Sequence, residues 1–105
     1  MIRIEFSREE DRYKGLRVIG HSPLSKGKPG ENLLCAAVSI LSQTLELCLY
    51  KSGQLNLLKK EKGFLELEVV SPNFGTDVQF DFFLTGVFAL GEDAAEFITI
   101  EEKGV

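Results

Sequence analysis

The chain has 105 residues, 44% of them apolar and 27% charged, and its net charge is −4. That composition is ordinary for a globular protein, and the length predicts one domain over residues 1–105. The acidic balance argues against a direct nucleic-acid partner, since phosphate binding needs a concentrated basic face.

No uninterrupted apolar run reaches the roughly 18 residues of a membrane span, so no membrane association is expected. The N-terminus "MIRIEFSREEDR" lacks a leader's apolar stretch. Two cysteines in such a chain predict a cytoplasmic protein with reduced thiols.

"MIRIEFS" puts Ile2, Ile4 and Phe6 on one face of a strand. "REEDRYKG" reads as a polar turn and "LRVIG" as a second strand, which makes residues 1–20 a β-hairpin. Gly20 to Gly30 holds three glycines and two prolines, too many breakers for a helix or a central strand. From Glu31 to about Tyr50 the period is helical, with Asn32 as the N-cap and Gly53 near C′. "QLNLLKK" is a short strand and "GFLELEVV" a clear one. "SPNFGT" is a turn, after which Thr76 or Asp77 caps a second helix running to about Leu90. Its apolar face is Phe80, Phe83, Leu84, Val87 and Phe88. "GEDAAE" breaks that helix and "FITIEE" is the last strand. The order ββαββαβ predicts an α+β fold, a small sheet packed with two helices.

In the first helix, Leu34, Val38, Leu41, Leu45 and Leu49 form one stripe at 100° per residue, the expected core face. Leu33, Ala36, Ile40 and Leu47 form a second stripe. Cys35 falls on neither: it shares a polar strip with Ser39, Ser42 and Glu46. Cys48 lies at the edge of the first stripe and reads as a core or interface thiol.

Cys35 near a helix start and His21, the chain's one histidine, are the residues with nucleophilic chemistry. A thiol attacks as its thiolate, which the helix start and an imidazolium both favour. The same imidazole then protonates the leaving group. Spacing alone favours no catalytic role for this pair; the polar-strip position of Cys35 brings the two readings level. Other chemistry fits worse. A metal site needs three or four ligands, and one His with two separated Cys does not suggest one. "GKP" lacks the spacing of a phosphate loop, and there is no Cys-x-x-Cys. No cofactor is expected.

The segment "GH", a glycine-containing loop and then "GENLLCAAVS" resembles the ribosomal-processing cysteine protease family, Prp. That family has a Gly-His followed by a Gly-x-Asp-Ile-Val-Cys-Ala-Ala-Val-Ser-like block. The opening strand and element order are also similar, over nearly the whole chain. The resemblance implies an endopeptidase that removes an N-terminal extension from a ribosomal large-subunit protein precursor. It implies His21 as general base and Cys35 as nucleophile, Gly20 and Gly30 as family glycines, and Ser39 as part of the helix motif. It also implies a homodimer, which would cover the second apolar stripe. Asn32 stands where the family has Asp, so it can hydrogen-bond an imidazole but cannot stabilise its charge. Ser22 replaces the family's alanine, and the loop is slightly longer. The competing readings are a non-catalytic homologue that binds a ribosomal or other protein, and a thiol sensor.

Overall fold

A computed structural model describes residues 1–20, 29–90 and 96–104, and of 29–32 the backbone alone. The elements are β1 (Ile2–Glu9), β2 (Arg12–Ile19), α1 (Pro29–Lys51), β3 (Leu55–Glu61), β4 (Phe64–Val69), α2 (Phe74–Phe88) and β5 (Ile98–Lys103). The expected α+β order is the observed one. The five strands form one sheet in the order β3-β4-β2-β1-β5, with β5 parallel to β1 and the other neighbours antiparallel.

Period-two alternation explains the two faces of this sheet. Ile100, Ile4, Val18 and Leu65 are aligned across four strands, as are Phe6, Leu16 and Leu67. These residues meet both helices in one core with Ile2, Val69 and Ile98. The opposite face carries Glu101, Glu5, Arg17, Glu66 and Lys59 in register. There Glu5, only 7% exposed, faces Arg17 at 3.5 Å and Lys103 at 3.4 Å.

The first hairpin is tighter than expected. Its strands run on to Glu9 and from Arg12, and the turn is only Glu10 and Asp11, with φ of 52° and 64°. Two left-handed residues match the twist of the strands they join. A bulge after Ser7 then pairs Arg8 with Tyr13.

α2 begins at Asn73, not at Thr76 or Asp77. The Asn73 side chain accepts from the Thr76 amide at 3.1 Å, and Thr76 Oγ1 accepts from the Asn73 amide at 2.9 Å. This reciprocal pair satisfies two helix-end donors. Asp77 instead binds β2, taking Arg12 at 2.8 Å and the Tyr13 amide at 3.1 Å. Phe80, Phe83, Leu84 and Val87 are buried as expected, but Phe88 is 68% exposed. The helix ends at Phe88, capped by Ala89. The expected break over "GEDAAE" falls almost entirely outside the described residues.

α1 starts earlier than expected, so Pro29 and Gly30 are helical and Asn32 lies inside the first turn instead of capping it. Proline suits a first helical position because the N–H it lacks would have no partner there. At the other end, Gly53 has φ 70° and donates to Tyr50 O, while Gln54 donates to Leu49 O at 2.8 Å. That is the expected glycine stop. The segment Leu33–Lys51 is long and apolar enough to cross a membrane. Counting uninterrupted apolar residues missed this, because its serines and glutamate are scattered along it. Val38, Leu45 and Leu49 of this segment are buried against the rest of the chain, as in a core helix.

Candidate active site

Cys35 lies on α1 and Gly20 at the end of β2. The Cys35 thiol donates to the Gly20 carbonyl at an Sγ–O distance of 3.8 Å, across 15 residues of sequence. The fold therefore brings the thiol to the residue immediately before His21. His21 itself, and the side chain of Asn32, lie outside the described residues.

Gly20 is tightly constrained. Its φ is +85°, and a Cβ there would lie 2.5 Å from the Met1 carbonyl oxygen. A left-handed backbone and a close backbone neighbour both select glycine. Its amide donates to Gly63 O at 2.7 Å in the β3–β4 turn. One residue thus joins the starting end of β1, the β3–β4 hairpin and the thiol on α1.

The environment of Cys35 differs from expectation. The thiol is 1% exposed and belongs to the core cluster, with Ser39 at 4% and Ser42 at 0%. The polar strip faces inward. Ser42 Oγ donates to Val38 O at 2.8 Å and lies 3.2 Å from Ser39 O, so its burial leaves the hydroxyl proton satisfied. Cys35 is also farther into the helix than expected, at its seventh residue. Helix-end stabilisation of a thiolate is concentrated in the first turn, so at Cys35 that share is smaller.

Cys48, expected in the core or an interface, is exposed. Leu34 and Leu41 of the expected core stripe are partly buried against the core, while Leu33 and Ile40 of the second stripe are 73% and 64% exposed. Among the described residues, no three His, Cys, Asp or Glu side chains form a metal-binding group. Sequence reasoning missed Gly63, whose only signal is the "EKG" turn. It also missed the approach of Lys60 on β3 to Glu46 on α1 at 3.0 Å.

A family model described as cysteine protease Prp matches residues 1–99. The structure of the essential ribosomal processing protease Prp from S. aureus, in complex with a substrate peptide, superposes with a TM-score of 0.83 at 15% identity. The match covers 98% of this chain and 100% of that one. The same protease with a covalently linked product peptide gives a TM-score of 0.79 at 16% identity, with the same coverage. SMU.848 from Streptococcus mutans gives 0.78 at 25% identity, over 100% of this chain and 96% of that one. No curated protein matches the chain by sequence.

Proposed function

The chain belongs to the cysteine protease Prp family, and from that premise we propose that it is a cytoplasmic cysteine endopeptidase. Its substrate is a ribosomal large-subunit protein precursor, from which it removes an N-terminal extension. The observation that carries this reading is the Cys35 thiol held against the carbonyl of Gly20, one residue before His21.

In this mechanism His21 takes the thiol proton and the Cys35 thiolate attacks the scissile carbonyl carbon. The tetrahedral intermediate collapses to a thioester as the imidazolium protonates the departing amine. His21 then accepts a proton from water, which attacks the thioester and regenerates the thiol. Gly20 and Gly30 shape the two ends of the loop between base and nucleophile. Asn32 orients the imidazole without charging it, and Ser39 lies one helical turn beyond the nucleophile. The protein works as a homodimer, a reading supported by the exposed apolar residues Leu33, Ile40 and Leu47 of α1 and Phe74, Phe82 and Phe88 of α2.

A peptide spanning the extension and the mature start of the precursor tests the activity. Wild-type protein should cut it, Cys35→Ala should abolish cutting, and His21→Ala should slow it by roughly 10²–10⁴-fold. Cutting that survives Cys35→Ala overturns the assignment. The burial of Cys35 and the Asn32 replacement favour a second reading, a non-catalytic homologue that binds the same peptide. Binding without cutting selects it.

A further inference from the structure

The turn between β3 and β4 ends against the candidate site. Glu61 pairs with Phe64, which leaves only Lys62 and Gly63 between the two strands. Gly63 has φ 77°, in the left-handed region that a residue with a Cβ enters only at a cost. The β2–β4 pairing closes with Ile19 opposite Phe64. The next rung is the bond from the Gly20 amide to the Gly63 carbonyl at 2.7 Å.

Gly20 is thereby held through both of its peptide groups. Its amide faces the hairpin, and its carbonyl, part of the peptide bond leading into His21, accepts the Cys35 thiol. Its own conformation leaves little slack, with φ +85° and the Met1 carbonyl oxygen 2.5 Å from where a Cβ would stand. The hairpin in turn is braced against α1, where Lys60 Nζ lies 3.0 Å from Glu46 Oε1. A displaced turn therefore moves the Gly20 peptide, and with it the chain entering His21 and the partner of the thiol.

We propose that Gly63 is a positioning residue for the cysteine–histidine pair, acting through the Gly20 peptide and not on the reacting atoms. The proposal rests on the endopeptidase reading above. What Gly63 supplies is a backbone conformation. A residue that resists this φ distorts the turn, lengthens the rung to Gly20 and lets the thiol and the start of the His21 chain drift apart. Misplacing a nucleophile against its base slows the chemical step without weakening binding, so kcat falls while KM holds.

Gly53 is the control. It is also left-handed, with φ 70°, and a Cβ there would meet nothing within 4 Å. Its amide bonds Tyr50 O at the far end of α1. Gly53→Ala therefore carries a similar backbone strain with no tie to Gly20. Asparagine tolerates the left-handed region better than alanine, so Gly63→Asn should fall between Gly63→Ala and wild type.

The experiment measures cutting of the peptide that spans the extension and the mature start, with Gly63→Ala, Gly63→Asn, Gly53→Ala and wild type. Gly63→Ala should lower kcat about tenfold and leave KM within about twofold. Gly53→Ala should leave both within about twofold. In the same proteins, hydrogen exchange of the Gly20 amide and iodoacetamide labelling of Cys35 at about pH 9 report the tie without cutting. Both should accelerate in Gly63→Ala, less in Gly63→Asn, and stay at the wild-type rate in Gly53→Ala. A kcat loss shared by Gly53→Ala, a Gly63→Asn protein no closer to wild type than Gly63→Ala, or unchanged Gly20 exchange overturns the role of Gly63 and leaves the protease intact. Faster exchange and labelling confined to the Gly63 variants, with no cutting even by wild type, supports the tie and overturns the protease. No cutting and no change in exchange overturns both.

Discussion

Cys35 and Cys48 occupy the same helix in opposite surroundings. Cys35 is 1% exposed among small polar neighbours, Ser39 and Ser42, on the side that meets the sheet. Cys48 is exposed, at the rim of an apolar groove of about 250 Å³ that Leu41, Leu45, Phe82 and Phe83 help to line between the two helices. The inward side of α1 carries bulky Val38, Leu45 and Leu49 as well as small Cys35, Ser39 and Ser42. Serine hydroxyls that bond their own helix's carbonyls can be buried there at little cost. The bulky residues Leu33, Ile40 and Leu47 are left facing outward.

The comparison is sharpened most by chemical modification. Iodoacetamide at about pH 9, with each cysteine mapped by mass spectrometry, should label Cys48 at least about tenfold faster than Cys35, because a buried group reacts only after local opening. The ratio of Cys35 to Cys48 labelling should rise as the pH falls toward 6, since a thiolate paired with an imidazolium persists. Equal rates at high pH would remove the burial contrast, and a constant ratio would remove the role of His21.

A smaller effect is expected in stability. Ser42→Leu should cost about 1–3 kcal/mol by overpacking the helix–sheet contact. Leu47→Ser, on the exposed stripe, should stay within about 0.5 kcal/mol for the dilute protein. Urea denaturation measures both. Light scattering on the Leu47 variant reads the proposed dimer, which that change should weaken. A larger cost for Leu47→Ser than for Ser42→Leu would reverse the assignment of faces.

A further effect lies away from α1, where α2 also combines exposed aromatic rings with a polar tie. Tyr13 donates to Asp81 at 2.9 Å and stacks on Phe80 with ring centroids 5.1 Å apart. Tyr13→Phe should cost about 1 kcal/mol, the worth of one hydrogen bond. Burial, and then the hydrogen bond to Asp81, hold the Tyr13 hydroxyl above its ordinary value of 10.0. The folded state therefore keeps this proton more tightly than the unfolded chain. Its contribution is complete below about pH 10 and is lost as the pH rises through the raised value. The gap between wild type and Tyr13→Phe should narrow in that alkaline window, and a gap that widens there would contradict the assignment.

The strands were legible because period-two alternation leaves only two choices of face, and one choice buries Ile2, Ile4, Val18, Leu65 and Leu67 together. Element order, the glycine stop at Gly53 and the Gly-His to Cys35 motif could likewise be read without coordinates. The rotation of α1 was only half legible, because its apolar residues lie at nearly every angle around the axis. Val38, Leu45 and Leu49 were placed correctly, whereas the inward turn of Cys35, Ser39 and Ser42 was not. Thr76 was mistaken for a cap because Asn73, the actual cap, stands three residues earlier in the same polar turn.

The sequence by itself determined the alternation of the sheet and the number and order of the helices. These are local patterns, set by backbone geometry and the period of apolar residues. Only the tertiary structure decided that Cys35 is buried and Cys48 exposed, that Asp77 ties α2 to β2, and that Glu46 of α1 meets Lys60 of β3. Those outcomes depend on how closely two surfaces can approach. That distance is set by side chains far apart in the chain, such as Gly20 against Met1 and Gly86 against Leu41, and no local period records it.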